Sequence, residues 1–147
     1  MRGARSGPQR LVLALSRLGR VPSRDDGWVK ETLAVGLTNE ARHTVTKQMS
    51  PPHLPRVVLS TPTMVGLVEG ACLSSVQEHL DEGETTVGTH ICISHEAAVG
   101  EGEEFVIRCR LASIERRRLN FEIEVDGPSG AVSRGTHQRA VIQFQLS

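Results

Sequence analysis

Aromatic residues are nearly missing from this chain, whose 147 residues include three Phe, one Trp and no Tyr. Single-stranded nucleic acids and sugars bind by stacking on aromatic faces, so the shortage argues against such platforms. Cysteine is scarce too. Cys72, Cys92 and Cys109 are odd in number and follow no metal-ligand or redox spacing. They read as buried free thiols in a reducing, cytoplasmic setting. Long hydrophobic runs are absent: Leu11-Val12-Leu13-Ala14-Leu15 is far short of the roughly 20 residues a spanning helix needs, so no membrane partner is expected. Acid is absent from residues 1–24, which hold six Arg. The remainder therefore carries 11 basic groups against all 17 acids, a balance of −6. An acidic body disfavours nucleic acid, whose binding rests on neutralised phosphates.

What remains fits one soluble domain with one core. Residues 1–24 are set apart as a basic tail, and 25–147 as the folded domain. The tail reads as a disordered extension, an over-extended start or an Arg-rich transit peptide. Residues 28–38 alternate loosely and are expected to form a first strand. Residues 39–56 read as a connecting loop, because Pro51, Pro52 and Pro55 fit neither a helix interior nor a central strand.

The centre of the chain is the stretch from Ser60 to Leu80. Thr61 is read as the N-cap and Pro62 as the first helical residue. Met64, Val65, Val68, Ala71, Cys72, Val76 and Leu80 follow at helical spacing. Asp81-Glu82-Gly83 should end the helix near Leu80. Four strands are expected next, over residues 85–97, 104–114, 119–125 and 131–146, separated by glycine-rich or basic turns. One long helix with an antiparallel sheet of about five strands is an α+β layer architecture. One helix covers such a sheet incompletely, so pairing with a second copy is expected.

Glu69 falls in the middle of the helix between Val68 and Ala71, where part of its side chain meets apolar surroundings and calls for a partner. His95 shares a strand face with Ile91 and Ile93, which aims it toward the helix and toward Glu69. Thr61 places a hydroxyl beside helix N–H groups able to stabilise an oxyanion. Together the three make an acyl-transfer constellation. Taken singly, Thr61 serves equally as a cap, His95 as a satisfied core histidine and Glu69 as a half-exposed flank residue. His90 and Cys92 alternate away from His95, so no shared metal is expected. Arg116-Arg117-Arg118 and Arg134 are candidate contacts for anionic phosphates.

Three ordered motifs carry a family resemblance. Ser60-Thr61-Pro62-Thr63-Met64-Val65-Gly66-Leu67-Val68-Glu69-Gly70-Ala71-Cys72 resembles the central-helix motif of the fluoroacetyl-CoA thioesterase-like hot-dog family. Leu80-Asp81-Glu82-Gly83-Glu84 with Val87-Gly88-Thr89-His90-Ile91-Cys92-Ile93-Ser94-His95 resembles its next segment. Gly135-Thr136-His137-Gln138-Arg139-Ala140-Val141-Ile142 resembles its last strand. The resemblance implies a hot-dog fold, a homodimer with active sites near the subunit interface, and hydrolysis of a small acyl-CoA without a cofactor. It implies catalytic roles for Thr61, Glu69 and His95, a substrate pocket at Gly88, and a supporting Arg139. The loop before Thr61 has no Phe, and Pro62-Thr63 replaces a glycine–aromatic pair, so thioester hydrolysis is implied more strongly than fluoroacetyl selectivity. The competing readings are a non-catalytic acyl-CoA-binding module and a hot-dog hydratase or dehydratase. The last would place an Asp–His pair near the helix start, which is not seen.

Overall fold

Alternation at period two dominates the second half of the chain, and in a strand it sends one residue set to each sheet face. The computed structural model describes residues 29–144, and the basic tail at 1–24 lies outside them. Five strands appear: β1 (Thr38–Thr44), β2 (Glu84–Ile93), β3 (Glu104–Glu115), β4 (Arg118–Gly127) and β5 (Gly130–Gln143). They form one antiparallel sheet in the order β1-β3-β4-β5-β2. The α-helix among the described residues, α1, spans Thr61–Val76.

The inner sheet face is apolar. Phe105, Ile107, Cys109 and Leu111 of β3 and Leu119, Phe121, Ile123 and Val125 of β4 are all buried. They meet Met64, Val68, Ala71, Cys72 and Val76 of α1. Each large side chain removed from water contributes about 1.5–3 kcal/mol before entropy is counted, so this seam decides where the helix lies. The helix contacts β3 and also both edge strands, β1 and β2. A sheet whose two edges reach the same helix is curled around it, which is the hot-dog architecture expected from the motifs. Polar clasps hold the edges in: Asn39 Nδ2 donates to the Ala71 carbonyl at 3.0 Å, and Gln77 Nε2 donates to the Glu84 carbonyl at 3.0 Å.

The first strand lies later than expected, at Thr38–Thr44 instead of 28–38. Residues 31–36 are turns, with Gly36 at φ 95°, although Leu33 is still buried. β1 is an edge strand whose outward residues are polar or charged, so it shows little hydrophobic period. Its pairing with β3 is reinforced by Glu40 and Arg42 against Arg108 and Glu104. His43, read as a loop histidine, sits in β1 against the Phe105 ring at 5.6 Å.

The helix cap also differs. Ser60, not Thr61, is the N-cap, its Oγ accepting from the Thr63 N–H at 3.2 Å. Thr61 becomes the first helical residue, which frees its hydroxyl. At the other end α1 stops at Val76, and a 3-10 turn (Gln77–His79) leads to the buried Leu80. β2 ends at Ile93, earlier than expected. It contains a bulge: Gly88 opposes Arg139 and His90 opposes Gln138, leaving Thr89 as the extra residue. The bulge resets the alternation, so the buried Thr86 and the core-packed Ile91 both face inward.

Candidate active site

Capping arithmetic shapes the helix N-terminus. Four N–H groups there have no intrahelical partner by default. Pro62 has none to offer, Thr63 gives its own to the Ser60 side chain, and Met64 bonds the Ser60 carbonyl at 3.0 Å. Thr61 keeps both its N–H and its hydroxyl at the surface. The hydroxyl lies 2.7 Å from His95 Nδ1.

His95 reaches Thr61 because two irregular segments are tied together. Leu59 N–H donates to the Val99 carbonyl at 2.8 Å, and Val58 bridges Gly100. Ser94 and Glu96 donate to the Arg134 and Val132 carbonyls at 2.9 and 2.7 Å, which carries the chain beyond β2 along β5. Thr61 and His95 line a cleft of about 280 Å³ whose other walls include Pro51, Leu54, Val58 and Ala97. Its apolar walls are aliphatic, as the sequence suggested.

Glu69 belongs to a second cluster. It stands two helical turns beyond Thr61, about 12 Å along the axis. Gly88 on β2 lies beside it: a Cβ there would fall 2.9 Å from Glu69 Oε1 and 3.2 Å from His137 Cε1. The strand has no side chain at this point, and the carboxylate occupies the space. The expected contact of Glu69 with His95 is not among the hydrogen bonds of the described residues: His95 meets Thr61, and Glu69 lies beside Gly88. The two clusters draw on different parts of this segment: Gly88 lies within β2 and His95 beyond its end at Ile93.

Arg139 closes this cluster from β5 and is 4% exposed. Its Nε donates to Thr86 Oγ1 at 2.7 Å and its Nη2 to the Thr86 carbonyl at 2.8 Å. Nη1 lies 3.1 Å from His137 Nε2, and His137 Nδ1 lies 2.7 Å from the His90 carbonyl. Burial lowers the Arg139 pKa from its ordinary value, with the Glu69 charge opposing. Burial likewise lowers that of His137. The sequence signal for His137 is the β5 face it shares with Arg139, two residues on.

The other candidates are more dispersed. Arg117 pairs with the buried Glu84 and Arg134 with Asp126, so both are engaged within the fold. Arg116 and Arg118 stay exposed at the hairpin, Arg116 at φ 58°. Cys72 and Cys109 are buried and interact, which with burial raises the Cys72 thiol pKa. Cys92 is exposed on β2, contrary to the expectation for all three thiols.

Residues 39–145 match the family model described as fluoroacetyl-CoA-specific thioesterase. The chain belongs to that family. The fluoroacetyl-CoA thioesterase of Streptantibioticus cattleyicolor is 38% identical over 88 residues, 60% of this chain and 63% of that protein. The match thus spans a little under two thirds of that curated relative's length. A solved structure of the fluoroacetyl-CoA thioesterase superposes with a TM-score of 0.71 at 31% identity, over 76% of this chain and 89% of its own. A hot-dog-like protein from Thermanaerovibrio acidaminovorans, 17% identical, reaches a TM-score of 0.71 over 83% of this chain and 89% of its own. That likeness shows the fold. Of the residues expected to be catalytic or to line the pocket, Thr61 and His95 fall in one of the two clusters described above, and Glu69, Gly88 and Arg139 in the other.

Proposed function

We propose that this chain hydrolyses short acyl-CoA thioesters to the free acid and CoA, as a homodimer with no cofactor, in the cytoplasm. The observation that carries the reading is the 2.7 Å contact of Thr61 Oγ1 with His95 Nδ1 at the mouth of an aliphatic cleft. The cytoplasmic setting is supported by three free cysteines among the described residues.

Of the two directions that the Thr61–His95 contact allows, the reaction calls for one. His95 donates from Nδ1 to Thr61 Oγ1. The Thr61 hydroxyl is then free to donate to the thioester carbonyl, alongside the Thr61 N–H. His95 Nε2 is left as the base. It takes a proton from water as the water adds to the carbonyl carbon. When the tetrahedral intermediate collapses and the C–S bond breaks, the same nitrogen returns the proton to the thiolate. Glu69 either orients that water or attacks first, giving an anhydride that water then opens. Oxygen-18 recovered in Glu69 after a single turnover in labelled water requires an anhydride opened by water at the Glu69 carbonyl; an unlabelled carboxylate excludes that opening.

Glu69 and the Thr61–His95 pair stand apart within one protomer, and β2 is a sheet edge whose residues 87–90 are all exposed. We therefore assign the complete site to two protomers: Thr61 and His95 from one, Glu69 with Gly88 and Arg139 from its partner. The selectivity in the relative's name is left with the relative, because the cleft here has no aromatic wall.

The deciding experiment measures free CoA released from acyl-CoAs of increasing size, acetyl to phenylacetyl, beside His95→Ala. Turnover by the wild type and a loss of about 10²–10⁴-fold in the variant are expected. No release from any member, with CoA still raising the melting temperature, overturns hydrolysis in favour of a binding module.

A further inference from the structure

A buried arginine beside a carboxylate ordinarily forms a bidentate ion pair with it. Here that pair is missing. Arg139 is 4% exposed and Glu69 is the acid whose charge acts on it, yet the two form none of the ion pairs found among the described residues. The guanidinium is aimed elsewhere. Two nitrogens are held by Thr86, and the third points at His137 Nε2.

The state of His137 follows from its neighbours. Nδ1 faces the His90 carbonyl at 2.7 Å and must carry the proton to bond it. Nε2 faces a guanidinium N–H at 3.1 Å and must offer a lone pair. Both demands are met only by the neutral Nδ1–H tautomer, and the ring is 1% exposed, so no water can substitute. A protonated ring would set N–H against N–H. The depressed pKa agrees with this geometry. The charged and titratable groups around the ring are Arg139, Glu69 and His90.

We propose that His137 is a positioning residue: by accepting from Arg139 Nη1 it holds the guanidinium off Glu69 and keeps that carboxylate free to react. The cation then does not occupy the carboxylate's lone pairs. Glu69 accordingly has no hydrogen-bond partner among the described residues, while its oxygen rests over the bare backbone of Gly88. This assignment rests on the reading of Glu69 as the working carboxylate.

The test compares two substitutions. His137→Leu keeps bulk and removes the acceptor; His137→Gln offers both a donor and an acceptor. Leu is expected to lower kcat about tenfold or more with KM within threefold, and Gln to stay within threefold of wild type in both. A crystal structure of the Leu variant should show Arg139 turned onto Glu69 within ion-pair distance. Equal loss in both variants, wild-type kcat in the Leu variant, or an unmoved Arg139 overturns the proposal. Nitrogen-15 NMR of the wild type supplies a reading independent of either variant's folding: the Nδ1–H tautomer supports it, and the Nε2–H tautomer overturns it. If the wild type hydrolyses no acyl-CoA, the functional reading fails by itself, while the tautomer and the arginine position still decide this one.

Discussion

At the scale of single residues, Gly88 separates catalysis from stability most sharply. Its backbone is not in the left-handed region, so alanine is conformationally allowed. The added Cβ would meet Glu69 Oε1 at 2.9 Å, the far end of a flexible side chain that can move away. We expect Gly88→Ala to change unfolding free energy by less than about 1.5 kcal/mol. It should still cost about 10²-fold in kcat, because a displaced reacting group is worth that much. Urea denaturation and CoA-release kinetics on one preparation check both numbers. His137 predicts a pH effect on stability. Its folded pKa lies below the ordinary 6.5 because it is buried. Above that value both states hold it neutral and nothing depends on pH. Below it the unfolded chain takes a proton that the folded chain refuses, so stability falls as acid is added. Melting temperature should drop between pH 7 and pH 5, and less steeply in His137→Gln. Residue chemistry was well marked in the sequence where a side chain stood out from its surroundings, as Glu69 does among Val68 and Ala71. His137 gave no such contrast, since its role comes from Arg139 and a carbonyl on another strand.

At the scale of elements, β3, β4 and β5 were legible because each buries one face and alternates cleanly. β1 was displaced because an edge strand with polar or charged outward residues carries no hydrophobic period; its partners on β3 define it. The cap fell one residue early because Ser60 and Thr61 are chemically interchangeable as caps, and only the meeting of Thr61 with His95 separates them. The β2–β5 seam depends on Gly135. A Cβ there would sit 2.0 Å from the Cys92 carbonyl oxygen and 2.8 Å from Ile93 Cα, and neither backbone atom can yield cheaply. Gly135→Ala should therefore cost more than about 4 kcal/mol or abolish soluble expression, unlike Gly88→Ala. Comparing the two variants by thermal melting distinguishes a glycine that seats a side chain from one that seats a strand.

At the scale of the whole molecule, a site assembled from two protomers makes a prediction that folding defects cannot imitate. Glu69→Gln and His95→Ala should each be nearly inactive alone. Mixed after mild dissociation, they should regain activity, because a heterodimer holds one site with Glu69 from one chain and His95 from the other. Recovery to about a quarter of the wild-type rate follows if chains pair at random, since half the dimers then carry one intact site of two. No recovery would place the whole site within single protomers. Finally, the extra residue Thr89 has a role that its own side chain does not reveal. An insertion of one position in a strand acts like a half-turn in a screw: everything after it emerges on the opposite side. Deleting Thr89 would leave Gly88 in place and rotate Ile91, Ile93 and the path toward His95 outward. The phase between the two halves of the proposed site is thus stored in the count of residues along β2 instead of in any single contact.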